Sequence, residues 1–231
     1  MSYSEFRFVP PSRLDAWLNE LHLGQADDMP RIAVSACLTG QAVRYDGGDR
    51  FHGTVARVLR RWVRLQEYCP EVAIGLGVPR PPIQLTDTAD GLRVLGTTDV
   101  SKDYTHALRG FADTVPDSIC GAVLKARSPS CGVGDTPITP ASASTSATRT
   151  ALASGAFAHR LRERLPLLPM ISETQLARAA DVEGFVLKVY CYRQHKRWGN
   201  GTWLDDALAH IDAWPATVRL PLADYLTRLR G

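Results

Sequence analysis

No apolar run in this sequence approaches the roughly 20 residues that a membrane-spanning helix needs. Charged Glu5 and Arg7 stand where the apolar stretch of a signal peptide would be. A membrane protein and a secreted one are both disfavoured, and the expected compartment is the cytoplasm. Strong charge imbalance is also missing: a net charge of +3 over 231 residues neither demands nor excludes a nucleic-acid partner. There is no internal repeat and no close C-x₂-C pair, so a structural zinc finger is disfavoured. The five cysteines are an odd number in a chain too large to need stapling, which argues against a disulfide framework and leaves the thiols free for metal or catalysis. What is present is ordinary globular composition, 45% hydrophobic and 22% charged, enough for one main domain with appendages.

Residues 1–30 read as a helical lead-in, in which Ser12 caps a helix with Leu14, Trp17, Leu18 and Leu21 on one face. Arg31 to Ala36 is a β-branched run entering a turn at Cys37. Thr54 to Tyr68 has helical spacing with Arg57, Arg60, Arg61 and Arg64 on its polar side, and Val72 to Gly77 reads as a second strand. Val78 to Pro82 is an extended loop, Ser101 to Val115 a helix, and Gly121 to Ala126 a buried strand. Pro137 to Thr150 is too poor in apolar residues to order itself and reads as a loop or lid. Order resumes with a helix over 155–164 and the stretch Leu165 to Ile171, and helices are expected near residues 174–197, 202–213 and 219–229, packed by Trp198, Trp203 and Trp214. Recurring strand, helix and strand predict an α/β fold: a small, mostly parallel, Rossmann-like sheet covered by helices over residues 31–173, with a helical C-terminal extension over 174–231. Such sheets build their sites beyond the carboxyl ends of the strands.

Cys37 and Cys131 sit at such ends. Together with Cys69 they lie in turns rich in Gly, Pro or Ser, where backbone N–H groups can face the sulfides of an iron–sulfur cluster. Cys120 and Cys191 lie elsewhere and read as plain buried cysteines. Spacing alone leaves two readings open, a shared metal centre or a single thiol nucleophile such as Cys131 activated by His106. His52 and His106 otherwise read as surface or packing residues.

Four blocks then stand in order: Ser35-Ala-Cys37-Leu-Thr-Gly40 with Arg44-Tyr45-Asp46-Gly47, Cys69-Pro70-Glu71, Gly77-Val-Pro79-Arg80-Pro81-Pro82, and Leu124-Lys125 with Ser128-Pro129-Ser130-Cys131-Gly132. In content, order and spacing they resemble the thiouracil desulfidase family, densely over residues 31–132 and loosely to about residue 173. The resemblance implies a [4Fe–4S] cluster held by Cys37, Cys69 and Cys131 with one iron free of protein, and the release of sulfide from a thiolated uracil. Longer relatives carry a second helical domain, whose beginning Leu165 to Trp198 resembles, whereas Val133 to Thr150 departs from the more ordered segment usual after Cys131-Gly132.

Such chemistry asks for an acid/base carboxylate and nearby hydroxyls. Glu71 is the first choice and Asp46 the second, with Ser128 and Ser130 orienting the ring or water, and Arg44, Arg80 and Lys125 contacting substrate. Glu71 and Ser130 have an equally natural role in capping backbone amides or donating to cluster sulfide, and Arg44 in pairing with Asp46. The expected partner is a small thiolated nucleobase, with tRNA and a homodimer left open. The alternative from the binding class is an iron–sulfur sensor that handles thiolated RNA through Arg57, Arg60, Arg61 and Arg64.

Overall fold

A computed structural model describes residues 13–24, 29–140 and 151–231. Helix α1 (Leu14–Glu20) precedes strand β1 (Arg31–Ser35), whose last residue turns directly into a 3-10 segment, Ala36–Thr39. β2 (Arg64–Tyr68) follows, then the single turn α2 (Pro70–Ala73), the hairpin β3 (Ile83–Thr88) and β4 (Gly91–Gly96), α3 (Thr105–Asp113) and β5 (Gly121–Leu124). β6 (Thr136–Pro140), β7 (Leu152–Ala153), α4 (Ala156–Arg164) and β8 (Met170–Ser172) complete the strands, and α5 (Ala179–Trp198), α6 (Trp203–His210) and α7 (Ala216–Arg230) follow.

The central sheet has the order β2-β1-β5-β8 and every pairing in it is parallel. This is the α/β architecture that the strand–helix–strand alternation predicts. β1 and β5 lie in the middle, and their uniformly apolar residues (Ile32, Ala33, Val34; Ala122, Val123, Leu124) are fully buried, as parallel strands covered on both faces must be. One apolar cluster joins these strands to Leu14 of α1, Phe157 of α4, Val186 of α5 and Leu226 of α7. α1 is held at both of its own ends: Trp17 stacks on Trp214 with ring centroids 4.8 Å apart, Trp62 Nε1 donates to Asp15 at 2.6 Å, and Trp214 Nε1 donates to Glu20 at 3.0 Å. Among the described residues no helix is long and apolar enough to cross a membrane.

Several local expectations are corrected. Thr54–Tyr68 is not one helix: a wide turn over Thr54–Val58 and a 3-10 turn over Leu59–Arg61 give way to β2. The helical pattern stops at Val63, and parallel pairing of Arg64–Tyr68 with Arg31–Ser35 overrides the local preference. Val72–Gly77 is not a strand, because Pro70 starts a helical turn with Glu71 in it, and Gly75 at φ +90° ends it. α3 begins at Thr105, not Ser101, since Asp99 accepts from the Ser101 amide (3.1 Å) and hydroxyl (2.6 Å), and Asp103 accepts from Thr105 N at 2.8 Å.

A second, mixed sheet of order β4-β3-β6-β7 was not anticipated. Its hairpin is announced by Asp90-Gly91, with Gly91 at φ +93°, and β6 takes up the first part of the Pro137–Thr150 stretch read as a loop. The rest of that stretch (141–150) and the Ser12 cap lie outside the described residues. Trp198 is 70% exposed and packs no helix, unlike the buried Trp214.

Helix α5 lies against β5 so closely that a Cβ on Gly121 would stand 2.7 Å from Val189 Cγ2 and 3.3 Å from Phe185 Cζ. Gly121→Ala is therefore expected to cost about 1–3 kcal/mol through overpacking. An unchanged urea midpoint would show that α5 has room to retreat.

Candidate active site

Each strand of the parallel sheet delivers a functional side chain at its carboxyl end. Cys37 follows β1, Cys69 follows β2, Lys125 and the loop to Cys131 follow β5, and Glu173 follows β8. The ends are level because Ser35 pairs with Tyr68 and Leu124 pairs with Ser172. Beyond them lies a cleft lined by Cys37, Cys69 and Cys131 together with Glu71, Ser128, Ser130, Arg44, Arg80 and Lys125. Nine of the ten residues singled out in the sequence thus meet there.

Asp46, the second choice for acid/base work, does not line the cleft. It sits in a surface turn, accepting from Gly48 N at 3.1 Å and paired with Arg44 (3.5 Å) and Arg50 (3.6 Å). The Gly48 amide and the two arginines hold its carboxyl below the usual range. His106 is exposed on α3, and no histidine is among the residues lining the cleft, so the Cys131–His106 nucleophile pairing is not formed.

The loop carrying Cys131 is fixed through its backbone. Carbonyls of Pro129 and Ser130 accept the first amides of α4, from Ala156 (3.0 Å), Phe157 (3.0 Å) and Ala158 (3.2 Å), satisfying donors that a helix start leaves open. The Ser128 hydroxyl accepts from Cys131 N at 3.1 Å, and the Ser128 carbonyl accepts from Thr136 Oγ1 at 2.8 Å. Gly132 and Gly155 make this approach possible: a Cβ on Gly132 would lie 2.0 Å from Thr136 Oγ1, and one on Gly155 would lie 2.5 Å from the Ser130 backbone.

Around the thiols is a connected set of polar groups. Arg80 donates to Glu71 Oε2 through Nε (3.0 Å) and Nη2 (2.8 Å) and to the Gly77 carbonyl through Nη1 (3.0 Å). The other carboxylate oxygen, Oε1, accepts from Ser130 Oγ at 2.7 Å, and Ser130 Oγ lies 3.0 Å from Ser128 Oγ. Lys125 Nζ is held by Glu173 Oε1 (2.5 Å) and the Ala126 carbonyl (3.1 Å), while Glu173 Oε2 accepts from Ala126 N at 2.6 Å. Tyr68 and Ser35 also line the cleft. Among the described residues the Tyr68 hydroxyl is buried without a hydrogen-bond partner, as is Arg44 Nε, although Arg44 reaches Asp46 at ion-pair distance.

Sequence reading missed Ser35, Tyr68 and Glu173. Tyr68 was hidden inside the expected helix, although its place just before Cys69 was a usable signal. Glu173 lies far in sequence from the cysteine blocks, and only the pairing of β8 with β5 brings it in. The arginines of the supposed RNA-facing helix are engaged locally: Arg60 with Glu67 (3.4 Å), Arg61 with Asp15 (3.7 Å), and Arg57 over the Phe51 ring (5.2 Å).

All three thiols are hard to ionise on their own. Burial pushes Cys37 up to about 11 and Cys131 higher still, and Cys69 rises for the same reason despite amides of Val72 and Glu71 that favour its thiolate. The sulfurs also feel one another, Cys69 raising Cys37 and both raising Cys131. A lone nucleophilic cysteine needs the opposite, a lowered pKa. Coordination removes this obstacle, because a metal deprotonates the thiol it binds. Among the described residues no three His, Cys, Asp or Glu side chains close on a single metal ion. The three thiols that line the cleft are soft donors of the kind that bind zinc, copper(I) or iron–sulfur centres.

Alkylation of Cys37 by iodoacetamide in metal-free, folded chain should therefore be slow at neutral pH. Its rate should rise about tenfold per pH unit up to the region of pH 11, because the thiolate fraction grows as pH approaches the raised value. A rate already saturated at pH 9, read by mass spectrometry, would contradict the burial argument.

A family model described as 2-thiouracil desulfurase matches residues 32–173, which run from β1 to the end of β8 and Glu173. No curated protein matches the chain. Among solved structures the chain is similar to a [4Fe–4S]-dependent thiouracil desulfidase, TudS, with 31% identity, over 64% of this chain and 93% of that chain, at a TM-score of 0.49. The family match spans more than half of the sequence and contains all three cleft cysteines, and the chain belongs to the 2-thiouracil desulfurase family.

Proposed function

We propose that this chain is an iron–sulfur-dependent desulfidase that converts thiolated uracil, or a related thionucleobase, to the oxygen analogue and hydrogen sulfide. The observation that supports this reading best is the meeting of Cys37, Cys69 and Cys131 in one cleft from three different parallel strands. In this reading the three thiolates hold a [4Fe–4S] cluster, and Cys120 and Cys191, both buried away from the cleft, take no part. When bound, a cluster with one iron free of protein supplies a soft Lewis acid matched to thiocarbonyl sulfur.

The chain's own groups handle water and protons. Replacing C=S by C=O consumes one water, whose oxygen becomes the carbonyl and whose two protons leave with the sulfur. Glu71 is the base in this proposal. Arg80 grips one carboxylate oxygen and so fixes the plane of the group, leaving Oε1 to exchange its Ser130 partner for water. Ser130 and Ser128, in hydrogen-bond contact, form a short path for returning the proton. Lys125, pinned by Glu173, sets its amino group beside the cleft, where it can donate to the negative charge that water's attack moves from the C=S bond onto sulfur. Asp46, outside the cleft, has no part in the step.

Among the described residues the Tyr68 hydroxyl is a cleft donor without a hydrogen-bond partner. A hydroxyl buried without a hydrogen bond costs on the order of 1–3 kcal/mol, and it regains that when a ring nitrogen or exocyclic atom of the substrate accepts from it. Tyr68→Phe should accordingly leave iron content unchanged, melt no lower than the parent, and lose about tenfold in kcat/KM. A destabilised variant with full activity would remove Tyr68 from the site's chemistry.

Cys37→Ser, Cys69→Ser and Cys131→Ser, purified anaerobically, should each lose iron–sulfur absorbance and desulfidase activity together. Any one of them retaining both would rule out coordination by three thiolates. Gly155→Ala pushes on the Ser130 backbone rather than on a sulfur, and should lower iron per chain while leaving the far-UV circular dichroism intact.

A further inference from the structure

Away from the cysteine cleft, helices α5 and α7 pack against each other and, with the segment entering edge strand β8, enclose a second cavity of about 310 Å³. Its walls include apolar Leu168, Met170 and Phe185, and its size falls at the lower end of small-molecule sites. Gly184 faces open space there: a Cβ built on it meets nothing within 4 Å.

Three cations line this cavity from three helices, Arg162 at the end of α4, Lys188 in α5 and Arg228 at the end of α7. The Arg162 and Arg228 side chains have no hydrogen bond or ion pair among the described residues, and Arg228 is near enough to disfavour charge on both Arg162 and Lys188. The acids nearby do not neutralise them. Asp181, the carboxylate in the lining, is held bidentately by Arg178 at 2.7 and 3.1 Å, and Asp224 acts on Lys188 without reaching ion-pair distance. Cations at helix ends gain a little from the dipole, but that does not explain three of them converging on one apolar hollow.

We propose that this cavity binds a small phosphate monoester, its phosphate held by Arg162, Lys188 and Arg228 and its organic part seated on Leu168, Met170 and Phe185. A dianion with several acceptor oxygens offsets mutual repulsion among three cations, and guanidinium groups match phosphate oxygens in pairs. The apolar wall gives preference for an ester over the free ion.

The test is calorimetric titration with phenyl phosphate, inorganic phosphate and benzyl alcohol in phosphate-free buffer. Phenyl phosphate should bind saturably and at least about tenfold tighter than either of the others. Arg162→Gln and Arg228→Gln should each weaken it about tenfold without lowering the melting temperature, since neither side chain has a partner to lose. Gly184→Leu, which fills the hollow on a helix that tolerates leucine, should abolish phenyl phosphate binding while the fold persists. No saturable binding at millimolar concentration, affinity unchanged from the parent in either arginine variant, or binding that survives Gly184→Leu would each overturn the assignment.

Discussion

The parallel register of the central sheet is the constraint on which the site depends. Because β1, β2, β5 and β8 run the same way and are paired in step, their carboxyl ends finish side by side, and residues separated by as much as Cys37 and Glu173 come within electrostatic reach of each other. An antiparallel partner at any of these positions would send its loop to the opposite edge. The apolar strands β1 and β5 matter for the same reason, since burial on both faces leaves them no alternative register that keeps Ile32, Val34, Ala122 and Leu124 out of water.

On that frame the sheet supplies position and the loops supply rigidity. The Cys131 loop gives its carbonyls to the start of α4, so the helix and the loop satisfy each other's backbone groups, and neither can shift without exposing buried donors. Glu173 does the same for the other side of the cleft by taking both the Ala126 amide and the Lys125 ammonium. Glu71 is locked by Arg80, whose side chain is only 5% exposed. Charge at the cleft is therefore paired where the chain can pair it, and the polar atoms there that find no hydrogen-bond partner among the described residues, the Tyr68 hydroxyl and Arg44 Nε, belong to residues that line the same cleft as the three thiols.

The legible part of the sequence was what short-range chemistry determines. RIAVSA before Cys37 and GAVLKA before the Cys131 loop could hardly be anything but buried strands, and the order of the cysteine blocks carried the family. What failed was decided by partners distant in sequence. Arg64–Tyr68 has no strong strand signature of its own and becomes β2 only because β1 offers an open edge. β6 is too polar to predict, and it is ordered by pairing Ile138 with Leu85 of a hairpin that was itself overlooked. Tyr68 and Glu173 were lost with those elements, because each is defined by the strand end it occupies rather than by a motif.

Burial of the cysteines imposes a final consequence on how the centre is assembled. Thiols this far removed from water resist deprotonation, so a metal must displace protons from three sites whose negative charges also oppose one another. Arg44 and Lys125 ease that step, since both favour the thiolate of Cys37. Lys125 can do so only while Glu173 and the Ala126 carbonyl hold it in place. The pairing of β8 with β5 thus acts on the sulfur site through electrostatics as well as shape: it places Glu173, which fixes the lysine that favours the Cys37 thiolate and itself, to a lesser degree, disfavours it.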